Sequence, residues 1–228
     1  MKLSKRLLTV ASFVKKGSIP ADIGTDHAYL PAYLITQGVC ERAFASDIGE
    51  FPLLNAKETV EKYGLSDKIM LVLSDGLEKI DLDSVDTLIF AGMGGDLICD
   101  ILSAADENKL RKLRIIAQPQ THIERVRLFL MKNGFETENE KICLDAKHIY
   151  ICLCAEYTGR TDYPPCYEYY GKLAGSSDAL THEYFEKLLG SLKIKQTALL
   201  NNGKATEAEV AAGIINNISI ALGEKYES

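Results

Sequence analysis

No apolar run in this 228-residue chain approaches the roughly 20 residues of a membrane span. No C-x-x-C pair occurs among its six cysteines, and its four histidines lack ligand spacing, so no metal is expected. Cys152 and Cys154 stand two apart in an apolar run, as small buried residues on one strand face do. Thiols used this way suit a reducing compartment, and the expected location is cytoplasmic. The start, MKLSKRLLTVASFVKKG, is basic but has no uninterrupted apolar core. It reads as an amphipathic first helix rather than a secretion signal. No repeat of roughly 20–50 residues is visible, and no full G-x-G-x-x-G occurs.

What is present is ordinary globular composition, 46% apolar and 25% charged, enough for one large domain or one domain plus a smaller one. The net charge of −6 argues against a bulk nucleic-acid binder, but it is unevenly spread. Residues 1–20 carry Lys2, Lys5, Arg6, Lys15 and Lys16 with no acid, so the other 208 residues sum to −11. A second basic cluster holds Lys109, Arg111, Lys112, Arg114, Arg125, Arg127 and Lys132. Local basic faces of this kind bind phosphate even on an acidic protein; the plainer reading is a solvated helix face.

Short apolar runs at 19–23, 42–46, 69–73, 86–91, 114–117, 135–144 and 148–156 predict strands. Helical patterns at 28–37, 50–63, 94–105 and 121–133 separate them. In 50–63 the apolar stripe is Leu53, Leu54, Ala56, Val60 and Tyr63. Strands alternating with helices predict a parallel sheet covered on both faces. Only residues 145–147 join the last two runs, too few for a crossover helix, so these form an antiparallel hairpin at the sheet edge. Pro164–Pro165 breaks the pattern. Beyond it, 179–200 carries a stripe of Leu180, Tyr184, Phe185, Leu188, Leu192 and Leu199, and 205–222 carries Val210, Ile214, Ile218 and Leu222. Joined by the turn at 201–203, the two predict an antiparallel helical hairpin. The expected domains are 1–160 and 161–228.

Ligands of open α/β sheets sit at the carboxyl ends of the strands. Those ends carry Asp22-Ile-Gly24-Thr-Asp26-His27, Ser46-Asp47, Ser74-Asp75-Gly76, Ala91-Gly92-Met93-Gly94-Gly95 and Gln118-Pro119-Gln120. Asp47, 23 residues beyond Gly24, suits ribose hydroxyls, and Asp75-Gly76 suits an adenine amine. A pyrophosphate beside Gly24 would face Asp22 and Asp26, at a cost of several kcal/mol. A cationic adenosine ligand is favoured instead, and S-adenosylmethionine carries both a sulfonium and an ammonium. The plainer alternative is that Asp22 and Asp26 cap the helix after them.

The segments DIGTDHAYLP, SDIGEFPLLNA, LSDGLEKI and IFAGMGGDLI, in this order and spacing, resemble the bacterial tRNA (adenine-22-N1)-methyltransferases. The resemblance covers nearly the whole chain. It departs at Phe51-Pro52-Leu53, where that family usually has Gly-Pro-Leu. It implies a Rossmann-like class I methyltransferase domain followed by a coiled-coil-like helical domain. It also implies S-adenosylmethionine as cofactor and tRNA as partner. Neither a membrane nor a metal is expected from the residues, and a monomer is favoured.

The cofactor is expected to meet Arg6, Asp22, Gly24, Asp26, His27, Tyr29, Asp47, Ser74, Asp75, Gly76, Gly92, Met93 and Gly94. Asp26, Gly92, Gln118 and Pro119 are expected to position the reacting groups, because N1 of an unpaired adenine has a free lone pair and needs no general base. Lys2, Lys5, Lys15, Lys16, Arg111, Lys112, Arg125 and Arg127 are expected to contact RNA phosphates. Three alternatives stand beside this reading. One is a methyltransferase for another RNA or a small molecule, another a non-catalytic RNA-binding module of the same fold. A nicotinamide-dependent oxidoreductase is disfavoured by the incomplete glycine motif.

Overall fold

The computed structural model describes residues 1–223, so the last five residues of the C-terminal segment lie outside the described part. The chain divides into two compact units, Met1–Thr161 and Asp162–Ser228.

The first unit holds a seven-stranded sheet: β1 Pro20–Ile23, β2 Ala43–Asp47, β3 Ile69–Leu73, β4 Thr87–Ala91, β5 Arg114–Gln118, β6 Phe135–Asp145 and β7 His148–Tyr157. The order is β3-β2-β1-β4-β5-β7-β6. β1 to β5 are parallel; β7 runs antiparallel to β5 and pairs with β6 as the edge hairpin read from the short connection. The helices are α1 Lys5–Ala11, α2 Tyr29–Thr36, α3 Glu50–Lys62, α4 Gly95–Ser103, α5 Glu107–Leu110 and α6 Ile123–Lys132. The short α5, begun by Asp106 accepting from two backbone amides, was not anticipated.

The central strands are apolar without a break because both sheet faces are covered. The alternation still sorts them. Ile89 of β4 and Ile116 of β5 face Val10, Phe13, Leu34 and Val60. Leu88, Phe90 and Ile115 face Ile98, Leu102 and Leu130 on the other side. In β6, a bulge between Thr137 and Asn139 leaves Glu138 out of register, and Glu138 pairs with Arg114 at the start of β5.

Three sequence expectations need correction here. Leu54 (56% exposed) and Tyr63 (37%) of the 50–63 stripe point outward, while Thr59 is buried in their place. Asp26 does not cap α2: the N-cap is Ala28, in the left-handed region with no side-chain cap, and Asp26 itself has φ +49°. Arg127 is not a surface phosphate ligand. It lies on the core face of α6 between Val126 and Leu130, 1% exposed, with its Nε 2.7 Å from Glu140 of β6, itself buried.

The second unit begins with α7 Tyr167–Tyr170 and a 3-10 turn at Gly171–Gly175, both missed in the sequence. It continues with α8 Ala179–Asn201 and α9 Ala205–Ala221, which pack on each other. Asp178 caps α8, accepting from the Thr181 amide at 3.0 Å. Its carboxyl is held down at about 2 by hydrogen bonds from Ser176 and Thr181. The buried stripe is Thr181, Phe185 and Leu189 against Ala208, Ala211, Ile215 and Ile218. Val210, expected inside, is 62% exposed.

Candidate active site

The strand order reverses between β1 and β4, and the chain leaves these two strands toward opposite faces. The crevice this opens holds a cleft of about 340 Å³. Its floor is the β1 turn. The amides of Gly24 and Thr25 both donate to the Ser46 carbonyl, at 2.8 and 2.9 Å, which ties this turn to the end of β2. Gly24 has φ +73°, and a Cβ there would stand 2.3 Å from the Met93 methyl. Gly92 forms the opposite wall with φ +95°, its amide donating to the Gln118 carbonyl at 3.0 Å. Glycine at these two positions lets two strand ends approach whatever fills the cleft.

Asp22, Arg6, Asp26, His27 and Tyr29 line the same cleft. Asp22 is 5% exposed and accepts from the Thr25 hydroxyl at 2.6 Å. Burial pushes its carboxyl up to about 6; the Thr25 hydroxyl and the Arg6 guanidinium pull it down, and Asp47 adds to the rise. Arg6 is anchored three ways. Its amide donates to Asp145 at 3.1 Å, its guanidinium donates to the Gln118 side chain, and it lies 5.8 Å from the Tyr150 ring centroid. The His27 ring stacks on Tyr29 at 5.0 Å and lies 3.4 Å from the Asp26 carboxylate. The strained backbone at Asp26 and Ala28 turns these side chains toward the opening.

The remaining expected residues divide. Asp47 ends β2 close enough to Asp22 to act on its charge, with Oδ1 accepting from the Gly49 amide at 2.8 Å. Asp75 and Gly76 line a neighbouring cavity of about 540 Å³ with Leu97 and Ile101, the latter covering Gly76. Met93 packs over Gly24, and Gly94 is the N-cap of α4, bridged to Thr121. Ser74 is a correction: it is buried and spends its hydroxyl inside its own turn, on Gly76 O and the Lys79 amide. Gln118 and Pro119 are corrected too. Both are buried, and the Gln118 amide is taken by Arg6 and the Pro119 carbonyl. Gln120, two residues on, lines the cleft together with Thr25, and neither had been singled out. The signal for Gln120 was its position: it follows Pro119 just past the end of the buried strand β5, where the chain first reaches the surface.

The basic residues lie at both ends of the sheet. Lys5 precedes Arg6 at the cleft end of α1, and Arg125 is held by Asp96 at 2.8 Å. Lys15, Lys16, Arg111 and Lys112 instead line a cavity of about 530 Å³ with Thr87 and Arg114, the first residues of β4 and β5. That is the amino end of the sheet, one strand length or about 15 Å from the cleft. Arg111 is paired with Glu107 and stacked 4.8 Å from the Tyr157 ring, and Lys15 is 2.6 Å from Glu156.

Residues 3–153 match the methyltransferase-domain family. The chain is 42% identical over 156 residues to the tRNA (adenine(22)-N(1))-methyltransferase of Bacillus subtilis, covering 68% of this chain and 66% of that one. The crystal structure of the B. subtilis M1A22 tRNA methyltransferase TrmK superposes with a TM-score of 0.89 at 31% identity, over 97% of this chain and 99% of the other. M. capricolum TrmK, solved with the cofactor product S-adenosyl-homocysteine, gives 0.84 at 27% identity over 98% and 99%. Among the described residues no group of histidine, cysteine and carboxylate side chains is placed to hold a metal ion, and no helix is long and apolar enough to cross a membrane.

Proposed function

The chain belongs to the bacterial tRNA (adenine-22-N1)-methyltransferases, and from that premise we propose that it methylates N1 of adenine 22 in tRNA with S-adenosylmethionine as donor. The observation that carries this reading is the cleft itself: a buried carboxylate, two glycine turns with positive φ and a stacked aromatic pair, all within one crevice of the sheet.

The residues fit the cofactor. Gly24 and Gly92 supply the positive-φ turns that bring the backbone of two strand ends to the cleft, with Met93 and Arg6 packed where their side chains would be, and Asp22 and Asp26 supply negative charge where a pyrophosphate would be repelled. Asp47, ending β2, and Asp75, two residues past β3, are our candidates for the ribose hydroxyls and the adenine amine. Bound there, S-adenosylmethionine supplies a methyl group on a sulfonium centre that leaves as a neutral thioether.

The chain's own contribution is alignment. Asp22 sets the potential at the cleft floor, and Thr25 fixes its rotamer. Arg6, locked by Gln118 and Asp145, closes the side next to Gly92. Tyr29, with one face against His27, offers the ring on which an unstacked base rests. Gln120 is the neutral side chain at the rim, suited to the polar edge of an adenine. Nothing has to remove a proton before N1 attacks, so the rate comes from holding N1 in line with the methyl and excluding water.

We read Lys2, Lys5 and Arg125 as phosphate contacts near the cleft, and residues 161–228 as a helical domain that grips the tRNA body. The free thiols and the tRNA substrate support a cytoplasmic location. The test is transfer of labelled methyl to unmodified tRNA, with an A22→G transcript in parallel. Label in the first and none in the second is the expected result. Equal label in both would discard the position, and none in either would discard tRNA as the acceptor.

A further inference from the structure

Beside the cleft lies a second cavity of about 360 Å³. Tyr29 lines both, so the two adjoin at that residue. The second is flanked by Tyr63, at the end of α3, and carries Lys2 and Lys62 against a single carboxylate, Glu58. Helical spacing had placed Tyr63 in the core. Instead the residue is 37% exposed, with the Lys62 ammonium 5.9 Å from its ring centroid. Core packing therefore accounts for only part of this side chain, unlike Ala56, Thr59 and Val60, the buried residues of α3. A flat aromatic surface next to lysines, opening onto a cleft that receives a base, is the composition of a single-strand nucleotide site. Its volume is within the roughly 300–1,000 Å³ range of small-ligand pockets.

We propose that this groove holds a nucleotide of the RNA adjoining the target adenosine, with its base on Tyr63 and its phosphate between Lys2 and Lys62. The proposal rests on the tRNA reading above and adds the path of the strand: from the groove, past Tyr29, into the cleft. The ligand is RNA rather than a free anion, because a lone phosphate has no use for the two tyrosines. Glu58 lies one helical turn before Lys62 and leaves the groove one net positive charge from these three side chains.

The test is equilibrium binding of unmodified tRNA by fluorescence anisotropy over a salt series. The full-length wild type is compared with Tyr63→Ala, Tyr63→Phe and Lys62→Ala. Cofactor affinity by calorimetry and the unfolding midpoint are measured on each. Tyr63→Ala is expected to weaken tRNA binding about tenfold with the salt slope unchanged, and Tyr63→Phe to restore it. Lys62→Ala is expected to lower the slope by about one.

The proposal is overturned if all three variants bind tRNA within twofold of wild type. It is also overturned if Tyr63→Ala loses cofactor affinity in the same proportion. Should Tyr63→Ala not fold, Lys62→Glu on the exposed face of α3 decides: about tenfold weaker binding supports the groove, and unchanged binding overturns it. The A22→G comparison reports separately on the acceptor. Its failure, with the binding pattern intact, would remove the position methylated and leave the groove.

Discussion

The two ends of one sheet behave differently. At the carboxyl end, around the cleft, the backbone takes left-handed conformations at Gly24, Asp26, Ala28, Gly92 and His122. A buried carboxylate there has, among the described residues, no ion partner in hydrogen-bond contact and is held by a hydroxyl. At the amino end, Arg114 pairs with Glu138 and Glu156 and donates to the Phe13 carbonyl, and Lys15 closes on Glu156. The same strands thus end in strain and unpaired charge on one side and in satisfied ion pairs on the other. Strain and unbalanced charge cost stability, and the fold tolerates them where a ligand will complete them.

The largest expected effect follows from Asp22→Asn. A carboxyl raised from 3.8 to about 6 by burial favours the folded chain fully only while protonated. That contribution is lost as pH rises through this window, leaving a penalty of about 3 kcal/mol above pH 6. Asparagine removes the penalty, so unfolding free energy at pH 8 is expected to rise by up to about that amount. Cofactor binding should weaken by about 2–5 kcal/mol, since a cation loses its buried counter-charge. In the wild type, cofactor affinity should be about tenfold weaker at pH 5 than at pH 7.5, and flat in the variant. Calorimetry and urea unfolding read both; a flat wild-type profile would break the assignment of Asp22 to a cationic ligand.

Much of this was legible in the sequence, for a physical reason. Strands buried on both faces are continuous apolar runs, and a ligand cleft must lie at their carboxyl ends, so Asp22, Gly24 and Gly92 follow from strand position alone. What failed was side-chain direction beyond those ends. Gln118 and Gln120 are equivalent in a string of letters; β5 ends with Gln118 buried, while Gln120 lies past the strand, exposed and lining the cleft. Arg127 looks like its neighbour Arg125 until Glu140, on β6, is seen to meet it in the core. Ser74 looks like a ligand until its turn closes on itself. Each error comes from a partner distant in sequence or from a local turn that spacing does not encode.

A smaller effect sharpens the contrast from the amino end. Arg114→Met leaves Glu138 and Glu156 facing each other without their shared cation. Because the two carboxylates are 52% and 42% exposed, water takes up part of the loss. The expected cost is about 1–2 kcal/mol in unfolding free energy. Cofactor affinity should stay within twofold. A fall in cofactor affinity with unchanged stability would mean that the two ends are coupled through β5, and the division of labour would not hold.

The smallest effects concern the lysines of that same end. If tRNA extends over it, Lys16→Ala and Lys112→Ala should each weaken tRNA binding a few-fold and lower the salt slope by about one. Lys5→Ala, at the cleft end, should do at least as much. Lys15→Ala should do less than either, because its ammonium is already held 2.6 Å from Glu156. Losing it removes a charge that the protein has largely neutralised. A loss at Lys15 equal to that at Lys16 would require the ion pair to open on binding, and Glu156→Gln should then tighten the complex. No change at Lys16 and Lys112, with a full loss at Lys5, would confine the RNA to the cleft end and leave the amino end with stability alone.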